Sequence, residues 1–270
     1  MKRIAIVLNL LGWTTLAPAQ PNPCTQEMVV GTYAFAYEGY VMLTPADSEQ
    51  AVPVPEAGLA LAAIDSQGVI SSTAYQGIGG LPGRTSMPGT IQVNPDCTGT
   101  VDWGKGVTGN LVVLREGEEM HSMMTASVGP PIVSGRWKRV SRVPNTVDPA
   151  QCSPKDVVGS YVAEMHGFAM SFVPGSSQAS AVPVAAVTAG SFTSNGRVSA
   201  GGIRTVGGQT NSITVDTRFT TGSDCTFRLA PLNAPPDLWG VVLDGGNELW
   251  SIGLTSYLGT ERLWRITKLP

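Results

Sequence analysis

The amino-acid sequence predicts an all-β protein built from two tandem antiparallel β-barrels of about eight strands each. Three observations support this prediction: short apolar segments alternate with turn residues, no convincing helix is visible, and the chain contains an internal repeat. The 270 residues include 32 glycines and 20 prolines, which disfavour long helices, and only 14% are charged. A pair of β-sandwiches is the alternative, and these would have no central cavity.

The cysteine spacing reveals an internal duplication. Cys24 and Cys97 lie 73 positions apart, as do Cys152 and Cys225, and a shift of 128 positions superimposes the two pairs. At the same shift VVGTY at 29–33 meets VVGSY at 157–161, and a small loop insertion aligns VPV at 52–54 with VPV at 182–184. We therefore expect two copies of one domain of about 120 residues.

The strands can be assigned most clearly in the second copy. Asn195-Gly196 is a hairpin turn signal, and the residues on either side of it are rich in β-formers. Strands are predicted at residues 157–172, 187–192, 198–203, 211–220, 225–229, 238–243, 248–254 and 262–269. Eight short antiparallel strands can close into a barrel, which removes the exposed sheet edges.

The N-terminus resembles an export signal. Lys2 and Arg3 precede an apolar stretch at 4–11, and Ala17-Pro18-Ala19 matches a cleavage site. Residues 1–19 are therefore predicted to be a signal peptide, and the mature protein is predicted to be secreted. We expect a first barrel at 20–141, a linker at 142–149 and a second barrel at 150–270. No apolar stretch is long enough to span a membrane as a helix.

Four cysteines in an exported chain predict two disulfide bonds, for which three pairings are possible. The duplication favours Cys24–Cys97 and Cys152–Cys225, because each copy then closes its own bridge. A loop of this length stabilises a domain by about 4 kcal/mol in the chain-entropy account.

Composition and motifs exclude several classes of function. The net charge of −3 offers no electrostatic footprint for nucleic acid. The sequence has no phosphate loop, dinucleotide fingerprint or nucleophile elbow. The two histidines, His121 and His166, occupy non-equivalent positions of the repeat. We therefore expect neither a metal nor an organic cofactor.

The ends of each copy carry a family resemblance. Gly31-Thr32-Tyr33 and Gly159-Ser160-Tyr161 open the two copies, and Arg136-Trp137-Lys138-Arg139 and Arg262-Leu263-Trp264-Arg265 lie in the closing strands. This layout resembles the lipocalins and the allene-oxide-cyclase-like barrels. Lipocalins open with a Gly-x-Trp strand over which a basic residue of the last strand packs. Here Tyr replaces Trp, and no terminal helix is visible.

The resemblance implies barrels that carry small apolar molecules or, in the cyclase branch, shape a reactive substrate without a cofactor. The Gly-Thr-Tyr and Asp-Cys-Thr-Gly-Thr patterns are also similar to those of uncharacterised exported microbial proteins.

Glu164 and His166 are the candidate catalytic residues. They lie two positions apart on one strand, so both side chains point to the same face. We expect that face to carry Phe168, Met170 and Phe172 as well, so the pair could supply proton transfer at the floor of an apolar pocket. The alternative is that this end of the strand emerges into solvent.

The candidate ligand-lining residues are aromatic residues and methionines on the first strand of each copy. Such side chains are what a small apolar ligand would contact, although they are equally typical of a barrel core. They are Tyr33, Phe35 and Tyr37 on one face, Tyr40 and Met42 on the other, and Phe168, Met170 and Phe172 in the second copy.

The sequence therefore predicts an exported tandem barrel that binds a small apolar molecule. One alternative is a cofactor-free cyclase or isomerase that restricts a flexible substrate by shape. Another is a protein-binding surface module that uses no cavity. The sequence does not decide whether the protein is an enzyme.

Overall fold

A computed structural model of the protein describes residues 23–44, 49–79, 81–104, 106–126, 132–146, 152–172, 179–231, 238–253 and 260–270. Two closed antiparallel barrels follow one another along the chain, which confirms the predicted fold class and excludes the sandwich alternative. The proposed signal peptide and its cleavage site lie outside the described residues. The exact domain boundaries stay predictions.

The first barrel is built from nine strands that occupy eight positions around its wall. The strands are β1 (Gly31–Leu43), β2 (Val52–Ile64), β3 (Val69–Ile78), β4 (Leu81–Ser86), β5 (Gly89–Val93), β6 (Thr98–Asp102), β7 (Thr108–Leu114), β8 (Glu119–Ala126) and β9 (Ile132–Ser141). Strand β1 pairs with both β2 and β9, and β2 also pairs with β3, so the sheet closes on itself.

The second barrel has eight strands in simple meander order. They are β10 (Gly159–Phe172), β11 (Ala179–Phe192), β12 (Arg197–Val206), β13 (Gln209–Thr221), β14 (Thr226–Pro231), β15 (Leu238–Leu243), β16 (Glu248–Gly253) and β17 (Thr260–Lys268). Pairing of β10 with β17 closes the ring.

Strands β4 and β5 together correspond to the single strand β13 of the second barrel. Both pair with the same edge of β3, β4 along its second half and β5 at its start. The break falls at Met87 and Pro88, because proline has no backbone N–H to donate to the sheet. Each remaining strand of the first barrel has one counterpart in the second barrel.

The register of the sheets corrects one detail of the sequence alignment. Gly39 of β1 pairs with Glu56, whereas its counterpart Gly167 pairs with Val184. The equivalent of Glu56 is therefore Val184, and aligning the two VPV segments with an insertion was wrong by two residues.

Large side chains opposite small ones fill the first barrel. Tyr33, Phe35 and Tyr37 point inward from β1 and are fully buried. Their neighbours on β2 are Ala62, Ala60 and Gly58, and a Cβ on Gly58 would collide with the Tyr37 ring. Phe35 stacks on Trp137 with ring centroids 4.0 Å apart, and Trp103 stacks on the same indole at 5.6 Å.

The second barrel has smaller side chains at the matching positions. Ala163 stands where Phe35 does, and Met165 replaces Tyr37, as the shared register of β1 and β10 shows. A small apolar cavity of about 70 Å³ remains between Ala163, Thr188 and Trp264. The interior of the second barrel is therefore less completely filled than that of the first.

The Gly-x-Tyr motif ties the first strand to the far side of each barrel. The Tyr33 hydroxyl donates to the Gly117 carbonyl at 2.8 Å, and that of Tyr161 donates to Gly246 at 2.7 Å. Both acceptors lie in equivalent 3₁₀ turns, Arg115–Gly117 and Asp244–Gly246. Burial raises the pKa of each tyrosine to about 12, so the hydroxyls stay protonated donors at neutral pH.

A cation from the last strand packs over each of these tyrosines, as in the lipocalin-like layout. The Arg139 guanidinium lies 5.3 Å from the Tyr33 ring centre, and the Lys268 ammonium lies 5.9 Å from that of Tyr161. Both disulfides are present with the predicted pairing, Cys24–Cys97 and Cys152–Cys225.

The two barrels pack side by side through one apolar interface. Outward side chains of β1 and β2 meet outward side chains of β15, β16 and β17. The buried members are Ala34, Ala57 and Leu59 of the first barrel and Trp239, Val241, Leu243, Trp250, Ile252 and Leu263 of the second. The interface buries apolar groups that a lone barrel would expose to water.

Candidate functional site

A groove of about 510 Å³ runs along the junction of the two barrels. One wall comes from β1 and from β7, β8 and β9 of the first barrel, and the other comes from β10, β16 and β17 of the second. Trp250, Leu263, Val112 and Met123 supply apolar surface, and Met123 is 58% exposed. We call this feature the inter-barrel groove.

Glu38 and His166 form a hydrogen-bonded pair in the wall of the inter-barrel groove, and the pair is ionic when His166 is protonated. His166 Nδ1 lies 2.8 Å from Glu38 Oε2. This hydrogen bond raises the pKa of His166 above its ordinary value, despite the opposing effect of burial. The two residues occupy equivalent positions of the repeat, as do Tyr40 and Phe168, whose rings meet edge to face at 5.0 Å.

A second set of charges joins the barrels beneath the groove. Lys138 of β9 donates to Asp244 at 2.5 Å and also to Glu248. Glu248 further accepts hydrogen bonds from Trp250 at 2.8 Å and from Arg265 at 2.6 Å. Burial alone would raise the pKa of this carboxyl, but the donors outweigh burial and hold the pKa below its ordinary value.

Arg136 brings a guanidinium to the floor of the groove. It lies 5.7 Å from the centre of the Trp250 ring, and one of its terminal nitrogens is 3.8 Å from a Glu119 oxygen. Its Nε atom is buried without a hydrogen-bond partner. His121 and Asn110 line the same wall. The groove therefore combines apolar surface with a few polar groups, as small-molecule sites commonly do.

The predicted catalytic pair lies on the outer face of β10. Both Glu164 and His166 are exposed, and only His166 lines the inter-barrel groove. The partner of His166 is Glu38 of the other barrel rather than Glu164. A catalytic role for the pair stays a prediction.

The predicted ligand-lining residues fall into three groups. Tyr33, Phe35 and Tyr37 fill the interior of the first barrel. Tyr40, Met42 and Phe168 are half-buried towards the ends of β1 and β10. Met170 and Phe172 belong to β10, but their side chains lie outside the described residues. Contact of any of these residues with a ligand stays a prediction.

The sequence patterns did not single out the groove residues Trp250, Leu263 and Met123. A signal exists for Trp250, in its own strand and in the strand paired with it. In β15 and β16 nearly every residue is buried, so both faces of these strands are covered. The counterpart of β15 in the first barrel, β7, alternates buried and exposed residues. The near-continuous apolar run LWGVVL of β15 indicates a covered outer face.

A half-buried carboxyl on the inward side of β2 was also missed. Glu56 lies beside the inward row of β2, opposite Gly39, and desolvation raises its pKa to about 7. The negative charge of Glu56 helps to raise the pKa of Tyr37. The Tyr37 hydroxyl donates to the side-chain oxygen of Gln76 at 2.9 Å. Because glutamate is common on surfaces, nothing in the local sequence marks Glu56 as partly buried.

Within the part of the chain that the structure describes, no cluster of three or more His, Cys, Asp or Glu side chains could hold a metal ion. In the same part, no helix has the length and apolar character needed to cross a membrane.

Comparisons with known proteins leave the family open. No protein-family model matches the chain, and no curated protein matches it. Among solved structures, the chain is similar to a protein of unknown function of the DUF3598 family from Nostoc punctiforme. The two share 8% sequence identity with a TM-score of 0.27, over 91% of this chain and 99% of the other.

Proposed function

We propose that the protein is an exported small-molecule-binding protein and that its ligand, a small and largely apolar molecule, occupies the inter-barrel groove. The observation that carries this proposal is the groove itself. Its volume of about 510 Å³ suits a drug-sized molecule, and its walls combine apolar side chains with a few polar groups.

The barrel interiors are weaker candidates for the ligand site. The aromatic stack of Phe35, Trp103 and Trp137 occupies the first barrel. The cavity of about 70 Å³ in the second barrel is roughly half the size of the engineered cavity of 150 Å³ that admits benzene. A ligand in the inter-barrel groove requires neither barrel to open.

A titration with Nile red, a neutral apolar dye, tests the proposal. We expect dye fluorescence to rise on binding to the folded protein and expect Met123→Glu to weaken binding about tenfold, which is about 1.4 kcal/mol. Leu81→Glu is the matched control, because Leu81 is 74% exposed and lies outside the groove. Equal dye affinity in both variants would contradict the proposed site.

A second candidate function, a cofactor-free isomerase or cyclase, is favoured by the Glu38–His166 pair in the groove wall. A histidine held by a carboxylate can transfer protons to a bound substrate. We expect wild-type protein and a His166→Gln variant, each purified from the producing cells, to retain molecules of equal mass but different chromatographic retention. Retention of the same molecule by both proteins would contradict catalysis and leave the binding function in place.

A further inference from the structure

The interface between the barrels joins two different surfaces. Face A consists of the outward side chains of β1, β2 and β3 in the first barrel, with Ala36, Leu59 and Tyr75 in one cross-strand row. Face B consists of the outward side chains of β15, β16 and β17 in the second barrel, including Trp250 and Leu263. Because the surfaces differ, the contact is heterologous, and each barrel contributes mainly one of its two faces to the apolar interface.

The duplication therefore leaves most of one copy of each face without a partner among the described residues. The exceptions lie at the junction of the barrels, where His166 and Phe168 of β10 and Arg136 and Lys138 of β9 contact the other barrel.

On face A of the second barrel, the equivalent cross-strand row consists of Glu164, Val187 and Ile203. These residues occupy the positions that Ala36, Leu59 and Tyr75 occupy in the first barrel. Val187 is 50% exposed and Ile203 is 56% exposed, whereas Leu59 is fully buried. Strand β2 packs against β16 and β17, but the equivalent strand β11 makes no comparable contact with β8 or β9 among the described residues.

Face B of the first barrel is exposed at equivalent positions. Alignment of the turns Arg115–Gly117 and Asp244–Gly246 pairs Val112 with Val241 and Leu114 with Leu243. The following strands pair Met123 with Ile252. The three residues of the second barrel are buried, whereas Val112, Leu114 and Met123 are all at least 38% exposed. Large exposed apolar side chains thus recur at the positions that the intramolecular interface covers.

The charges of the two free faces are complementary. In the intramolecular interface, Ala36 lies near Trp250 and Leu263. The residues equivalent to these three are Glu164, His121 and Arg136. A contact of the free faces in the same geometry would place the Glu164 carboxylate against the His121 imidazole and beside Arg136, whose guanidinium also lies 3.8 Å from a Glu119 oxygen and 5.7 Å from the Trp250 ring centre. The apolar contact of Ala36 with Trp250 and Leu263 within one chain would be replaced by a contact between opposite charges of two chains.

We propose that a second copy of this chain is the partner of these faces. Face A of the second barrel binds face B of the first barrel in a neighbouring molecule, which repeats the intramolecular contact between chains. Because the contact is heterologous, it extends into head-to-tail chains or closes into rings. It is weaker than the intramolecular contact, because Asn110 and His121 replace Trp239 and Trp250 on face B.

The self-association goes beyond the small-molecule function and can be tested separately from it. Val112 and Met123 also line the inter-barrel groove, so a second copy would cover part of that wall. Val187 and Ile203 lie away from the groove. The double variant Val187→Glu with Ile203→Glu should therefore lose self-association and keep Nile red binding.

Sedimentation velocity of the full chain from micromolar to millimolar concentration measures the association. We expect the average mass of the wild type to rise with concentration, and we expect the double variant to remain monomeric. Leu81→Glu, an exposed position on neither face, should behave as the wild type. A wild type that stays monomeric throughout, or equal association in the double variant, would overturn the proposal.

A mixing experiment tests the pairing of the faces. Val187→Glu with Ile203→Glu removes face A, and Met123→Glu removes face B, so each variant alone should be monomeric. A mixture of the two retains one intact face of each kind and should form a dimer that does not grow further. Growth beyond a dimer, or no dimer at all, would overturn the assignment of the faces. Circular dichroism of each variant confirms that it is folded.

Discussion

At the scale of single residues, Glu248 is the main electrostatic link between the barrels. Its side chain is only 6% exposed, and Lys138, Trp250 and Arg265 all donate to it. A buried carboxylate with several donors is stable only while the donors stay in place. The apolar interface around it therefore depends on this cluster for its alignment.

Glu248→Gln should destabilise the protein by about 2–3 kcal/mol, because it leaves the Lys138 ammonium without its buried counter-charge. Lys138 keeps the contact with Asp244, which limits the loss. Urea unfolding measures the change. Asp216→Asn is the control, because the pair of Asp216 with Arg197 is exposed and should contribute little. A loss in Glu248→Gln no larger than in the control would contradict this role.

His166 provides a pH-dependent prediction. The pKa of His166 is raised chiefly by its hydrogen bond to Glu38, so the pair stabilises the fold below the ordinary histidine value of about 6.5. This stability is lost as the pH rises through the raised pKa. In an NMR titration, Glu38→Gln should lower the pKa of His166 more than Glu164→Gln does, because Glu164 acts only through its charge at a distance. Equal effects would contradict the hydrogen bond.

At the scale of elements, the strand pattern was largely predictable and the outer faces were not. The Asn195-Gly196 turn and the alternation in β13 locate strands from the local sequence alone. The cysteine spacing locates the repeat. Whether the outer face of β16 meets water or another barrel depends on residues far away in the sequence. The break at Met87 and Pro88 was missed because proline also occurs within strands at sheet edges.

The turn Asp244–Gly246 gives a prediction at this scale. Gly245 and Gly246 both have positive φ, but a Cβ on Gly246 would lie 2.1 Å from the Asp156 carbonyl oxygen. A Cβ on Gly245 would meet nothing within 4 Å. Gly245→Ala should cost about 1 kcal/mol of backbone strain, and Gly246→Ala should cost about 3 kcal/mol because a clash is added. Thermal unfolding of the two variants measures this difference, and equal losses would contradict the tight packing of the turn.

At the scale of the whole molecule, the two repeats share a framework and have diverged in their interiors and outer faces. The first barrel is filled by aromatic rings, and the second keeps a small cavity. The duplication and both disulfides could be predicted from cysteine spacing. The inter-barrel groove could not, because it is created by the packing of one barrel on the other and has no motif of its own.

Native mass spectrometry tests whether the inter-barrel groove holds a small apolar molecule. The measurement compares wild-type protein and Met123→Glu, each purified from the producing cells. We expect the wild type to retain a small mass that disappears on denaturation, and we expect Met123→Glu to retain much less of it. A bare polypeptide mass for the wild type, or equal retention by both proteins, would contradict binding in the groove.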